Sequence, residues 1–289
     1  MDEDYGFIVD QMRWSFSRLS SFDTCKYMWK LTYIDGAKGE PNFYSQFGSF
    51  CHKILEKYYK GELAIFELAD YYADHYLEEV TYDAPPNKYK DLGADYYAKG
   101  MSYFENFEDI DDKYEILGIE KQVKFEIAGK EFVGYIDLLL RDKETGAIKV
   151  VDHKSGSIKI LKSGKVSKSD TEHFLSFQRQ LYLYSKAVIE EYGEVPKTLA
   201  WNLFRTGNVI ETPFVREDYE AAIKWADETI KKIENERDWS PTPDDFFCRF
   251  ICDHRNSACE WKPVYQPQGD SGANTEGANR ESEGDAWRP

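Results

Sequence analysis

A chain of 289 residues with 42% hydrophobic and 16% aromatic content can bury one large core or two small ones, and it is not a disordered polymer. Its net charge of −16 excludes nucleic-acid binding through bulk positive charge, though not a site that meets phosphates through bound cations. No apolar run reaches the roughly 18 to 20 residues of a membrane span, and the acidic start MDEDYGFIVD lacks the basic and apolar regions of a secretory signal, so a cytoplasmic protein is expected.

Ser15 or Ser17 is placed to cap a helix through RLSSFDTCKYMWKLTYI that stops near Gly36, with Leu19, Phe22, Tyr27 and Leu31 on its inner face. A second helix follows Gly48 through FCHKILEKYYKG. Two amphipathic segments, ELAIFELADYYADHYLEEV and DYYAKGMSYFENF, flank the loop APPNKYKDLG, so the first 110 residues read as helical. The pattern then changes to β-formers in EILGIEKQVKFEIAG, KEFVGYIDLLL and AIKVVDH, three strands joined as antiparallel hairpins. A helix from Thr171 to Tyr192, a hairpin TLAWNLF–RTGN–VIETPFV and a charged helix REDYEAAIKWADETIKKIENERD complete the body. SPTPDD breaks that helix ahead of a cysteine-rich end, and from Tyr265 the polar, aperiodic composition predicts a disordered tail. The tail holds five acids and two arginines, so about −13 of the charge stays in the body.

Within VVDHKSG a strand of buried character ends in Asp152, His153 and Lys154. Positions i and i+2 of a strand share a face, so Asp152 and Lys154 point the same way. D-x-K alone is common and is satisfied by a strand surfacing into a turn. A hairpin through RDKETGA sets Asp137 of VGYID beside Asp152, and two carboxylates next to a lysine suit a hard divalent cation and a phosphoryl oxygen. His52 lies on the helix after Gly48, in the order Gly-x-x-x-His, Gly-x-x-Asp, Asp-x-Lys. On the helix SFQRQLYLYSKA, Gln180 and Tyr184 share a face, as do Gln178 and Tyr182 one position over, and spacing leaves the register open.

GSFCH, VGYID, VVDHK and QLYLY together resemble the RecB-like branch of the PD-(D/E)XK nuclease superfamily over roughly residues 14 to 262. The resemblance implies an α/β fold, a restriction-endonuclease-like core of mixed β-sheet flanked by helices, with an N-terminal helical region and a C-terminal cysteine clasp. It implies one nuclease domain over 1–264: a helical part at about 15–110, a catalytic core at about 111–215, and a last helix with the cysteines at 216–264. It further implies that His52, Asp137, Asp152 and the His153 carbonyl bind Mg²⁺ or Mn²⁺, that Lys154 assists hydrolysis, and that Gln180 and Tyr184 support the site. Glu120 of GIEKQVKF stands where such proteins often carry an acid.

CRFICDHRNSAC sets Cys248, Cys252 and Cys259 in a tight trio, which in a cytosolic chain points to metal or cluster ligation rather than disulfides. A fourth thiolate could come from Cys25 or Cys51. The resemblance, to AddB and CRISPR-associated RecB-like exonucleases, implies Cys25 and a [4Fe–4S] cluster, with Cys51 a buried free thiol. The first gap of the trio is one residue longer than that pattern, which keeps zinc open, with His254 as a further ligand in a Cys₃His set.

HKSGSIKILKSGKVSKSD carries Lys154, Lys159, Lys162, Lys165 and Lys168 with no acid before Asp170. It reads either as a solvated loop or as a flexible basic loop that grips a phosphate backbone. The expected partner is DNA, single-stranded or with single-stranded ends, with a helicase or recombination protein as a further partner. The expected activity is a metal-dependent single-strand DNA exonuclease of recombination, repair or phage processing. A non-catalytic DNA-end-binding module and a structure-specific endonuclease are the alternatives.

Overall fold

The computed structural model describes residues 5–261, so the tail predicted from Tyr265 lies outside the described residues. Five strands form one mixed sheet in the order β1-β2-β3-β4-β5. β1 (Tyr114–Ile127), β2 (Lys130–Asp142) and β3 (Ile148–Lys154) are antiparallel neighbours. β4 (Thr198–Leu203) lies parallel to β3, and β5 (Asn208–Pro213) pairs antiparallel with β4. The parallel step needs a crossover, which α7 (Thr171–Tyr192) supplies. With helices flanking this sheet, the chain has the restriction-endonuclease-like α/β fold.

The main core lies between one face of the sheet and α1 (Gly6–Asp10), α2 (Phe16–Thr24), α7 and α8 (Arg216–Glu234), around Trp14, Phe132, Leu139, Val150, Leu181 and Trp201. A second core joins α4 (Phe43–Tyr59), α5 (Leu68–Glu79) and α6 (Leu92–Glu105) through Phe47, Phe50, Ile54, Tyr72 and Tyr96. No helix among the described residues is long and apolar enough to cross a membrane.

Three local features depart from the sequence reading. The first predicted helix is two, α2 and α3 (Lys26–Tyr33), because Cys25 is extended (φ −158°, ψ 112°) and its sulfur caps the second helix by accepting from the Met28 amide at 3.5 Å. α4 starts before Gly48: Asn42 caps it, its Oδ1 accepting from Ser45 N at 2.9 Å while Ser45 Oγ accepts from Asn42 N at 2.9 Å. Residues 159 to 167 are not a free loop. Ile160 bridges Val166, Leu161 N donates to Lys165 O and Gly164 N to Leu161 O, both at 2.8 Å.

Candidate active site

The strand register brings the two predicted acids together. Leu138 pairs with Val151, so Asp137 and Asp152 are the next residues on adjoining strands, where β2 and β3 stop pairing. The freed His153 amide donates to Asp137 Oδ2 at 2.6 Å. Asp152 is buried at 2% exposure. Its neighbour two residues on, Lys154, reaches back with Nζ 3.1 Å from Asp152 Oδ1 and 2.9 Å from Oδ2, and donates to Gln180 Oε1 at 2.8 Å.

β1 contributes a third acid through a break in its own ladder. Lys121 pairs with Ile136 and Ile119 with Leu138, but the Glu120–Asp137 pair between them is skipped. Glu120 takes a left-handed φ of 46°, which costs a non-glycine residue about 1–2 kcal/mol. Here too the buried side of β2 changes. Phe132 and Ile136 enter the main core and so does Leu139, while Leu138 and Leu140 turn to the opposite face. The distortion sets Glu120, Asp137 and His52 together: each offers a ligand atom within 4.8 Å of the others.

His52 arrives from α4, which packs closely on the chain just beyond β3 at Gly48. A Cβ there would lie 3.2 Å from Ser155 Oγ, just beyond Lys154. His52 Nε2 donates to the His153 carbonyl at 2.7 Å, because a carbonyl can only accept. In the neutral ring Nδ1 is then a lone-pair nitrogen, 3.7 Å from Asp137 Oδ2. Burial lowers the His52 pKa and so favours that neutral form.

Two carboxylates and a neutral imidazole thus gather near the Lys154 ammonium, and Glu120 adds a third acid beside His52 and Asp137. Burial pushes Asp137 and Asp152 up to about 6 even though Lys154 opposes it, and pushes Glu120 up to about 7 with help from the Asp137 charge. Asp152 Oδ2 takes no aligned hydrogen bond. Above neutral pH the pocket holds more negative charge than its one lysine compensates, so these residues fit a divalent cation with oxygen and imidazole ligands.

The register of α7 is plain in its contacts. Gln180 meets Lys154, and Tyr184 adjoins Gln180 and the Tyr135 backbone, with burial pushing its phenol well up. Tyr184 lies flat over Gly134, where a Cβ would come within 2.3 Å of Cε1. Tyr182 turns elsewhere: its hydroxyl accepts from Val215 N at 3.2 Å and faces Asp218 Oδ2 at 3.4 Å.

His153 has two faces. Its carbonyl turns to His52, while its ring stacks beneath Tyr59 and its Nδ1 lies 3.0 Å from Asn202 Nδ2, which also donates to Tyr103 Oη at 2.7 Å. This ring lines a groove of about 980 Å³ on the other side of the sheet. Sequence reasoning did not foresee that network, nor the glycine contacts with Ser155 and Tyr184.

Cys25, Cys248, Cys252 and Cys259 line one small cavity with Met28, Leu31 and Phe247. Burial first, then the neighbouring cysteines, pushes the Cys252 thiol up to about 12. Cys51 sits in the core of α4 to α6, apart from that cavity. His254 does not line it; its Nε2 pairs with Thr32 Oγ1 at 2.9 Å. Lys159, Lys162, Lys165 and Lys168 are exposed on and beside the short hairpin that follows β3.

Comparison with known proteins places the chain in a class of nucleases. The family model of the PD-(D/E)XK nuclease superfamily matches residues 13–264, and the chain belongs to that superfamily. Among solved structures it is similar to a protein from Eubacterium rectale provisionally designated an exonuclease, at 12% identity and a TM-score of 0.47, covering 89% of this chain and 92% of that one. No curated protein matches the chain.

Proposed function

We propose that the chain is a divalent-metal-dependent deoxyribonuclease of the RecB-like branch, acting as a single-strand exonuclease in recombination, repair or phage DNA processing. The observation that carries this reading is the convergence of half-buried His52, Glu120 and Asp137 with buried Asp152 and its partner Lys154. His52, Asp137 and Asp152 would hold Mg²⁺ or Mn²⁺, with Glu120 as a further ligand, and the His153 carbonyl would join them once released from its hydrogen bond to His52 Nε2. When bound, the ion supplies positive charge that acidifies water and stabilises a phosphoryl oxygen.

The remaining chemistry belongs to side chains. Lys154 has three N–H donors; Asp152 and Gln180 engage two, which leaves one for an attacking water or a phosphate oxygen. Gln180 fixes the ammonium, and Tyr184, wedged against Gly134, holds Gln180 in register. Lys159, Lys162, Lys165 and Lys168 meet the phosphate backbone of DNA. A helicase or recombination partner would deliver the strand.

For the cysteines, the resemblance points to a [4Fe–4S] cluster, with zinc as the alternative; what supports a shared ligand is that Cys25, Cys248, Cys252 and Cys259 line one cavity.

End-labelled single-stranded oligonucleotides incubated with Mn²⁺ test the reading, with Asp152→Ala as control. Stepwise loss of nucleotides by the wild type alone is expected. No cleavage by wild type with intact thiol ligation would instead indicate an end-binding module, and cleavage of circular single strands an endonuclease. Charge reversal at Lys162 and Lys165 should raise the substrate KM and flatten its salt dependence.

A further inference from the structure

His153 gives both of its main-chain polar groups to the site. Its N–H donates to Asp137 Oδ2 at 2.6 Å, and its carbonyl accepts from His52 Nε2 at 2.7 Å. At this edge β2 has stopped pairing with β3, so no β2 main-chain partner holds either group.

The side chain, by contrast, is anchored. Its ring stacks on Tyr59 of α4 with an interplanar angle of 5°. Asn202 of β4, opposite His153 in the strand register, sets its Nδ2 3.0 Å from the ring's Nδ1. An amide nitrogen only donates, so Nδ1 is the lone-pair nitrogen and Nε2 carries the proton. Among the described residues Nε2 has no partner, which makes the bond from Asn202 the ring's one hydrogen bond. Asn202 Nδ2 also donates to Tyr103 Oη at 2.7 Å, so α6 orients the amide. Both His153 and Asn202 are buried.

Packing alone does not account for this pair. A phenylalanine would fill the same slot against Tyr59 without leaving a buried N–H unpaired, which costs free energy. What the histidine adds is an acceptor for Asn202. A cation that takes the His153 carbonyl must displace the hydrogen bond from His52, and the peptide then needs a hold for which the ion does not compete. The anchored ring supplies one.

We propose that Asn202 is a positioning residue of the metal centre: by holding the His153 ring it keeps the His153 carbonyl in place for a divalent cation. The inference rests on the nuclease reading above, in particular on its metal site. Asn202 acts through one side chain and does not ligate the ion itself.

The test measures Mn²⁺ affinity by isothermal titration in wild type, Asn202→Ala, His153→Phe and the double variant. Removing a group that orients a metal ligand typically costs about 10–100-fold in affinity. N202A and H153F should each weaken Mn²⁺ binding about tenfold, and the double variant no further than either, because both delete the same hydrogen bond. Cleavage by N202A should return toward the wild-type rate as Mn²⁺ is raised. H153F keeps a stacked ring, so it carries the test if N202A does not fold. A merely structural role lowers Tm in chelator with unchanged Mn²⁺ affinity, or gives losses that add in the double variant; either result overturns the proposal. If wild type binds Mn²⁺ but cleaves nothing, the nuclease reading fails and the affinities still decide on Asn202. If wild type binds no Mn²⁺, both fall.

Discussion

Replacing Gly134 with alanine puts a methyl group where the Tyr184 ring already lies. The added Cβ would sit 2.3 Å from Cε1, 2.8 Å from Cζ and 3.0 Å from Cδ1, so the ring must retreat by about 1 Å to reach van der Waals distance. Tyr184 is buried, and overpacking of this kind costs about 1–3 kcal/mol. In a protein of this size a loss of about 2 kcal/mol lowers Tm by roughly 4–8 °C. The larger effect falls on Lys154, whose ammonium depends on Gln180 and, through it, on Tyr184. A displacement of about 1 Å in a positioning group can cost around 100-fold in rate. Gly100→Ala is the matched control: its Cβ would lie 2.3 Å from the Tyr72 hydroxyl, in the core of the helical layer. It also gains about 1 kcal/mol of helix propensity. Scanning fluorimetry and an oligonucleotide cleavage assay on both variants should show comparable or smaller destabilisation in G100A, with activity lost in G134A alone. Wild-type kcat/KM in G134A, or equal activity losses in the two, would refute the proposed chain from Gly134 to Lys154.

Asp137, Asp152 and Glu120 titrate above their ordinary values, so the folded protein binds these protons more tightly than the unfolded chain. On their account the metal-free protein is most stable below about pH 4 and loses that contribution as pH rises toward 7, and a bound cation offsets the loss. The rise in Tm caused by Mn²⁺ should thus be larger near pH 8 than near pH 5.5, and equal increments would contradict the site. Cys25→Ser preserves an oxygen cap for the Met28 amide but removes a thiolate; loss of visible thiolate-to-iron absorption together with lower Tm is expected, and a coloured, equally stable variant would exclude Cys25 as a ligand. Tyr184→Phe should reduce cleavage with little change in Tm, whereas Tyr182→Phe should cost about 1 kcal/mol in denaturant titration and spare activity.

Periodicity exposed the helical first third, the three-strand meander and α7 because each buries one face continuously. The acids Asp137 and Asp152 were placed by simple pairing arithmetic, since a hairpin through RDKETGA fixes the register. What stayed hidden depends on contacts between distant residues. The helical periodicity runs on through Cys25, and its extended backbone and its place in a cavity with Cys248 and Cys252 appear only in the folded chain. Glu120 sits among ordinary β-formers, and only its skipped pairing with Asp137 reveals its left-handed turn. The start of α4 was legible in principle, because Asn42-x-x-Ser45 before an apolar run is a capping signal. The choice between Gln180/Tyr184 and Gln178/Tyr182 could not be made from spacing, because both pairs are four apart and only tertiary packing separates them.

The cap of α4 has an implication for when this protein becomes competent. Asn42 Nδ2 donates to Ile251 O at 2.8 Å, Glu40 N to Asp253 O at 2.8 Å, and Arg255 to the carbonyls of Glu40 and Pro41. The helix bearing His52 is therefore braced by residues more than 200 positions later in the chain. During synthesis those residues leave the ribosome long after the strands carrying Asp137 and Asp152 have done so. A nascent or prematurely terminated chain holds the acids and the lysine without the brace that seats the histidine. On the proposed reading, competence to cleave therefore waits until translation has reached residues 251–255.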